Sequence, residues 1–172
     1  MIRKATENDI PAIARTYDEL FSYESVNGSG TNWREGVYPT AAVPEKRVPM
    51  GEMFVLDEDG VICGSMVLNG EQAAEYGDIP WAYEADADEV LVIHTICVPP
   101  RLSGHGYGRA MVNFAVGYAR EHGKKVIRLD TYEGNAPARA FYEKMGFRFA
   151  GVHDALHEGV ISEVLAYLEY RL

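Results

Sequence analysis

The chain has 172 residues, of which 47% are hydrophobic and 24% charged, with a formal net charge of -10. This length and composition are typical of one soluble globular domain that spans the whole chain, 1–172, and buries a core. The acidic balance argues against binding to nucleic acid or to an anionic membrane, and it suits a cationic partner better than an acidic one.

Neither a targeting segment nor a membrane helix is predicted. The chain starts with polar residues, and no apolar run approaches the roughly 20 residues that a membrane span needs. The two cysteines, Cys63 and Cys97, lie in apolar strand-like runs, which indicates reduced core thiols and no disulfide framework. We therefore expect a cytoplasmic protein without a membrane partner.

The first half of the chain predicts a strand, a helix, an irregular segment and a hairpin. Thr6 and Asp9 have the spacing of a capping box ahead of a helix, and apolar residues recur at helical spacing from Ile10 to Phe21. The turn D-E-D-G at 57–60 separates two apolar runs, as in a hairpin. The predicted elements are a strand at 2–5, a helix from 10, loops and short helices across 23–50, and strands at 53–56 and 61–68.

Residues 71–89 form an acidic stretch that allows two interpretations. It contains seven carboxylates, Glu71, Glu75, Asp78, Glu84, Asp86, Asp88 and Glu89. The stretch is either a solvated insertion or an acidic rim that attracts an ammonium group. In the second case Trp81 and Tyr83 would offer ring faces for cation–π contacts.

A glycine-rich loop connects a buried strand to a helix in the second half of the chain. The run V-I-H-T-I-C-V-P-P at 92–100 is rich in β-branched residues, and S-G-H-G-Y-G at 103–108 leads into a helix at 109–121. Alternate glycines let the backbone approach an anion, and a helix N-terminus offers unpaired N–H donors. Arg109 stands where a dinucleotide motif needs its last glycine, and no Walker lysine follows. A turn that serves geometry alone is the alternative.

The C-terminal third predicts a further strand, a capped helix and two closing strands. Residues 126–131 read as a strand, and N-A-P-A-R-A-F-Y-E-K-M-G-F at 135–147 has Asn as a cap, Pro in the first turn and Gly as the stop. Strands are expected at 147–152 and 163–171.

The loop motif followed by N-x-x-A-x-x-F-Y-x-K-x-G-F resembles the GNAT superfamily of acyl-CoA-dependent N-acyltransferases. The resemblance is strong over the C-terminal half and weak over the rest. It implies an α/β (α+β) fold with a mixed, mostly antiparallel sheet of about seven strands, splayed between strands 4 and 5 and flanked by helices. One departure is Ser103, since the family usually has Arg or Gln there.

The resemblance implies direct transfer of an acetyl group from acetyl-CoA to a primary amine, in a ternary complex. A small-molecule amine is the expected acceptor, and neither nucleic acid nor a metal is expected. The alternatives are a peptide N-terminus or lysine as acceptor, and a non-catalytic acyl-CoA sensor. The oligomeric state, including a homodimer, stays open.

The resemblance also predicts the residues that bind the cofactor. The loop amides would take the pyrophosphate, strand 4 would pair with the pantetheine arm, and a backbone N–H at its end would stabilise the oxyanion. These residues are Ile96, Cys97, Val98, Ser103, Gly104, His105, Gly106, Tyr107, Gly108, Arg109, Asn135, Arg139, Tyr142 and Lys144.

Two catalytic residues are predicted. Tyr142 matches the family's tyrosine that protonates the leaving thiolate, although its helical spacing also fits a core position.

His94 occupies a strand position where members of the family often have Glu, and an imidazole pKa near 6.5 suits a base. A structural histidine is the alternative. Strand alternation puts His94, Ile96 and Val98 on one face. Cys97 as an acyl-carrying nucleophile is unneeded for direct transfer.

Overall fold

Apolar strand-like runs and amphipathic segments fold into a seven-stranded sheet flanked by four α-helices, so the predicted fold class is confirmed. The computed structural model describes residues 1–172. The strands are β1 (Ile2–Lys4), β2 (Met53–Glu58), β3 (Val61–Asn69), β4 (Val90–Cys97), β5 (Val126–Tyr132), β6 (Arg148–His157) and β7 (Ile161–Arg171). The helices are α1 (Ile10–Asn27), α2 (Ala42–Arg47), α3 (Tyr107–Glu121) and α4 (Ala136–Lys144).

The sheet has the strand order β1-β2-β3-β4-β5-β7-β6. The pairs β1 with β2, β2 with β3, β5 with β7 and β6 with β7 are antiparallel. The β4–β5 pair is parallel, and its register runs from Val90↔Val126 to Val92↔Arg128. β5 continues to Tyr132 and pairs with β7 over its full length. The short parallel register agrees with the predicted splay between strands 4 and 5.

The backbone divides into two compact units. The first unit consists of Met1–Ser29, Trp33–Leu68 and His94–Phe114, and the second of Gly30–Asn32, Asn69–Ile93 and Ala115–Leu172. The chain passes from one unit to the other inside β4 and inside α3. The single domain expected from the length of the chain stays a prediction.

The core of the first unit forms where α1 packs on the sheet. Ile13, Tyr17 and Phe21 lie four residues apart on one side of α1, and they pack in one buried cluster with Met53 and Val55 of β2. Burying each of these large side chains stabilises the fold by about 1.5 to 3 kcal/mol. The side of α1 on which apolar residues recur in the sequence is therefore the side that is buried.

α1 extends further than the sequence predicts. The end of the helix, residues 22–27, is mostly polar and exposed, so it does not continue the apolar periodicity that signals the rest of the helix. The helix ends at Gly28, whose φ of 88° suits glycine and whose N–H donates to the Glu24 carbonyl at 2.9 Å.

In the second unit, the acidic stretch folds onto the β5–β7 face; we call residues 70–89 the covering segment. The backbone N–H groups of Ala82 and Tyr83 donate to the Glu169 carboxylate at 2.8 and 3.2 Å. Glu169 is fully buried, and it forms an ion pair of 2.9 Å with Arg148. Arg128 donates to the Tyr83 carbonyl at 3.2 Å. The covering segment is thus fastened to the sheet at its centre.

The aromatic rings of the covering segment contact the protein's own arginines. The Arg128 guanidinium lies 4.3 Å from the centre of the Trp81 ring, and that of Arg171 lies 5.9 Å from the Tyr83 ring. An arginine of the chain therefore already makes the cation–π contact at each ring, and the acidic rim that attracts a substrate ammonium stays an alternative prediction. Most of the acidic side chains of the segment are exposed to solvent, as expected for a solvated insertion.

Candidate active site

The glycine loop of the first unit ends in the first turn of α3. Gly104 and Gly106 have φ values of 80° and 83°, in a region that other residues rarely adopt. A Cβ atom at either position would meet no heavy atom within 4 Å. Both glycines are therefore required by backbone conformation, and the space beside them is open. α3 begins at Tyr107, so its first N–H groups lack acceptors within the helix.

Side-chain hydrogen bonds hold the loop in place. The Tyr107 hydroxyl donates to Oε2 of Glu58 at 2.7 Å, and this bond raises the pKa of Tyr107 to about 12. The ring nitrogen Nδ1 of His105 lies 3.2 Å from the Leu102 carbonyl oxygen and 3.1 Å from that of Ser103. His105 is thus engaged with the backbone of its own loop.

Gly64 of β3 lets α3 approach the sheet. A Cβ atom at this position would lie 2.7 Å from the Met111 sulfur and 3.2 Å from the Cys97 carbonyl oxygen. Any larger residue would therefore force the Met111 side chain to move and would press on the end of β4. The only sequence signal is a glycine inside an apolar strand pattern, which marks a close approach of another chain segment.

The end of β4 carries the candidate base and a strained residue. His94 is half-buried, and Thr95 beside it has φ of 48°, which is unusual for a β-branched residue. The Thr95 hydroxyl shares a short hydrogen bond with the Tyr38 hydroxyl. His94 and Ile96 are half-buried while Thr95 and Cys97 are buried, as strand alternation predicts. Strained backbone of this kind often occurs at functional sites.

Cys97 is a core residue of the first unit. Its thiol is buried and donates to the Thr16 carbonyl at 3.8 Å. Burial raises the pKa of this thiol to about 12, so the reactive thiolate is scarce at neutral pH. The side chain is therefore unsuited to carry an acyl group, and only its backbone is available to a cofactor.

In the second unit, Asn135 caps α4 as the sequence predicts. Its Oδ1 accepts a hydrogen bond from the Ala138 N–H at 3.2 Å. Arg139 forms an ion pair with Glu143 at 3.1 Å and stacks 3.9 Å from the centre of the Phe149 ring. Lys144 is exposed.

Tyr142, the candidate acid, lies on the buried face of α4. Its ring contacts those of Phe141 and Phe147, with centroid distances of 5.1 and 5.6 Å. Burial raises the pKa of Tyr142 well above its usual value, and the negative charge of Asp130 raises it further. The phenol therefore keeps its proton at neutral pH. Asp130 was not singled out from the sequence.

No helix of the chain is both long and apolar enough to cross a bilayer. The structure also contains no group of three or more His, Cys, Asp or Glu side chains arranged to hold a metal ion.

Sequence comparisons match the chain to acetyltransferases. The sequence model of the acetyltransferase (GNAT) family matches residues 14–147. The streptothricin acetyltransferase of Streptomyces lavendulae is 41% identical over 73 residues, which are 42% of this chain and 39% of that protein. The chain thus spans less than half the length of this relative.

Solved structures share the fold. A GNAT-family acetyltransferase from Streptococcus agalactiae is 20% identical and has a TM-score of 0.81, covering 100% of this chain and 95% of that one. An acetyltransferase from Salmonella typhimurium, solved with acetyl-CoA, is also 20% identical, with a TM-score of 0.67 and coverages of 100% and 93%. At 20% identity, these comparisons show a shared fold.

Proposed function

Because the chain belongs to the acetyltransferase (GNAT) family, we propose that it transfers an acetyl group from acetyl-CoA to a primary amine of a small molecule. The observation that carries the proposal is the loop that opens α3. There two glycines with positive φ carry no side chain and lie beside open space, so a pyrophosphate can approach the backbone N–H groups. The family match includes this loop and the whole motif at 135–147.

The proposed cofactor contacts follow the resemblance residue by residue. The amides of Ser103, Gly104, His105, Gly106, Tyr107, Gly108 and Arg109 would hold the pyrophosphate, and the backbone of Ile96, Cys97 and Val98 would pair with the pantetheine arm. Asn135, Arg139 and Lys144 would contribute from α4. Ser103 lacks the long polar side chain that the family usually has at this position. The loop amides would bind the pyrophosphate without it, because the dipole of α3 and its unpaired N–H groups already favour an anion.

The chemistry makes three demands on the chain. The acceptor ammonium must lose a proton before it attacks, and we assign this proton to His94. The oxyanion needs a donor, and a backbone N–H near Ile96 to Val98 is the candidate. The departing sulfur needs a proton, which Tyr142 supplies. Its raised pKa keeps the phenol protonated and ready to donate a hydrogen bond, although full transfer to sulfur then requires that the local negative charge be offset.

The acceptor is proposed to be a small cationic amine. The chain carries 26 acidic against 16 basic residues, which attracts cations. The streptothricin acetyltransferase that matches part of the chain is named for a small-molecule substrate, which supports an acceptor of this size. A peptide N-terminus is the second candidate, and a peptide that turns over faster than every small amine would favour it.

The decisive experiment measures binding and turnover in the same preparations. Acetyl-CoA affinity is measured by calorimetry, and transfer is measured as thiol release with a panel of primary amines. Gly106→Val forces a branched side chain into positive φ, so we expect acetyl-CoA affinity to fall at least about tenfold. Gly117→Ala, inside α3 and free of neighbours within 4 Å, is the matched control and should bind normally.

Two results would refute the proposal. Unchanged affinity in Gly106→Val would remove the pyrophosphate from the loop. Tight acetyl-CoA binding by the unaltered chain with no thiol release for any amine would instead point to a sensor of acyl-CoA.

A further inference from the structure

Thr95 has a backbone conformation that its residue type disfavours. Four residues other than glycine have a positive φ, and they are Asn32, Asp59, Thr95 and Glu158. Three of them lie in loops or turns, whereas Thr95 lies inside β4. Thr95 is also the β-branched residue of the four, and branching at Cβ makes a positive φ costly. The surroundings of Thr95 must therefore hold this conformation.

The side chain of Thr95 is held by a partner from a distant segment of the first unit. Thr95 is 8% exposed, and its hydroxyl shares a short hydrogen bond with the hydroxyl of Tyr38. The pairing of β4 with β5 ends at Val92, so that ladder does not constrain Thr95. The hydroxyl of Tyr38 therefore anchors the strained residue.

Tyr38 can act as an anchor because its own position is fixed in two ways. Its backbone N–H donates to the Arg34 carbonyl at 2.9 Å, and the Arg34 N–H donates to the Tyr38 carbonyl at 3.0 Å. The rings of Trp33 and Tyr38 meet edge to face at 5.9 Å, and Trp33 packs against the buried core of the first unit. Residues 33–38 thus hold the Tyr38 hydroxyl in a fixed place.

A positive φ at Thr95 changes the direction of the groups on both sides of it. In a regular strand, successive side chains and successive N–H groups point in alternate directions. A residue outside the extended region interrupts this alternation and re-aims its neighbours, as in a β-bulge. The neighbours of Thr95 are His94, the candidate base, and Ile96, whose N–H is among the candidate oxyanion donors. The conformation of Thr95 therefore affects the direction of both groups.

We propose that Tyr38 is a positioning residue for acetyl transfer, which holds Thr95 in its left-handed conformation and thereby aims the His94 side chain and the Ile96 N–H. This inference rests on the proposed function. Without the Tyr38 hydroxyl, Thr95 relaxes towards the extended region that β-branched residues prefer, and fewer molecules have the correctly aimed backbone. An oxyanion donor acts on the transition state, so the loss appears in kcat and much less in KM.

The first experiment removes each half of the hydrogen bond. Tyr38→Phe keeps the ring that contacts Trp33, and Thr95→Val keeps the branch at Cβ, so each variant loses one hydroxyl. With the fastest amine of the panel, we expect kcat to fall at least about tenfold in both, and KM to change by less than about threefold. The double variant should be no slower than the slower single variant, because both changes break the same contact.

Tyr23→Phe is the matched control. Tyr23 is an exposed tyrosine of α1 in the same unit, so its variant should keep kcat. A Tyr38→Phe chain that is as fast as Tyr23→Phe overturns the proposal.

The second experiment separates positioning from direct contact with the acceptor. Glycine adopts a positive φ without steric cost, so Thr95→Gly needs no anchor. Tyr38→Phe combined with Thr95→Gly should therefore have a kcat within about threefold of that of Thr95→Gly alone. If the Tyr38 hydroxyl bound the acceptor instead, KM would rise in Tyr38→Phe and stay raised in the combined variant, and this result overturns the proposal.

NMR of isotopically labelled protein measures the conformation of Thr95 without turnover. The coupling between the amide and α protons and the Cα chemical shift distinguish a left-handed residue from an extended one. We expect Thr95 to be left-handed in the unaltered chain and in Tyr23→Phe, and extended in Tyr38→Phe. A Thr95 that stays left-handed in Tyr38→Phe overturns the proposal.

The two readouts together keep this inference separate from the proposed function. An unaltered chain that releases no thiol with any amine rejects acetyl transfer, while loss of the left-handed conformation in Tyr38→Phe still supports Tyr38 as the anchor. An extended Thr95 with normal kcat in Tyr38→Phe rejects the positioning role and leaves acetyl transfer in place.

Discussion

Tyr142 combines a buried ring with a phenol that holds its proton tightly. If this phenol protonates the departing sulfur, Tyr142→Phe should lower kcat by about a hundredfold, the usual contribution of a general acid. Acetyl-CoA affinity should stay within about twofold, because the ring and its packing are kept. Tyr118→Phe, on α3 and stacked on His122, is the matched control. Unchanged kcat in Tyr142→Phe would assign the proton to another donor.

His94 is tested by the acidic side of the rate–pH profile. A base must be unprotonated, so kcat/KM should rise with pH on the acidic side of the profile and then level off. His94→Ala should remove this acidic limb and lower the plateau, whereas His122→Ala should leave both unchanged. An acidic limb that survives in His94→Ala excludes His94 as the base. Tyr142 should add no alkaline limb below about pH 10, because its pKa is raised above that ordinary value.

The sequence identifies residues whose role depends on their neighbours along the chain. Asn135 as a cap and the paired glycines of the loop belong to local patterns, and the structure has the cap and the positive φ values. Asp130 and Gly64 matter through partners far along the chain, Tyr76 in one case and Met111 in the other. No spacing rule reports such contacts.

At the scale of elements, the sequence predicts that each strand exists but does not predict the residue at which each strand ends. β4 through β7 lie where the alternating patterns place them, and helix α4 follows its cap. β6 runs to His157, beyond the predicted Val152, because its last residues pair with the start of β7 although none of them is buried. Pairing between strands decides these ends, and exposed residues carry no hydrophobic signal for it.

The covering segment gives a prediction about local stability. Glu169→Ala removes the carboxylate that receives the N–H groups of Ala82 and Tyr83, which leaves these donors without their partner. We expect a loss of about 3 kcal/mol in the free energy of unfolding. Hydrogen exchange should become faster across residues 70–89, and it should stay unchanged in α4.

Glu143→Ala is the control for this prediction. It removes an exposed partner of Arg139, so it should alter the free energy of unfolding by less than about 1 kcal/mol. Slow exchange across residues 70–89 in Glu169→Ala would mean that Arg128 and the aromatic rings hold the segment by themselves.

At the scale of the molecule, the net charge of -10 acts oppositely on the two substrates. Acetyl-CoA is an anion, and two basic residues in or next to the proposed cofactor contacts are already paired, Arg101 with Glu19 and Arg139 with Glu143. The proposed acceptor is cationic and would be attracted. Going from 0.01 M to 1 M salt shortens the screening length from about 30 Å to about 3 Å, which weakens both effects.

We therefore expect salt to change the two substrates in opposite directions. The KM of a cationic amine acceptor should rise about tenfold across this range, and the rate of acetyl-CoA association, measured by stopped flow, should increase several-fold. Sodium and potassium chloride should give the same result, because screening depends on ionic strength and not on the identity of the cation. Slower acetyl-CoA association at high salt would contradict this account, since it would mean that Arg109, Lys144 and the helix dipole outweigh the charge of the whole chain.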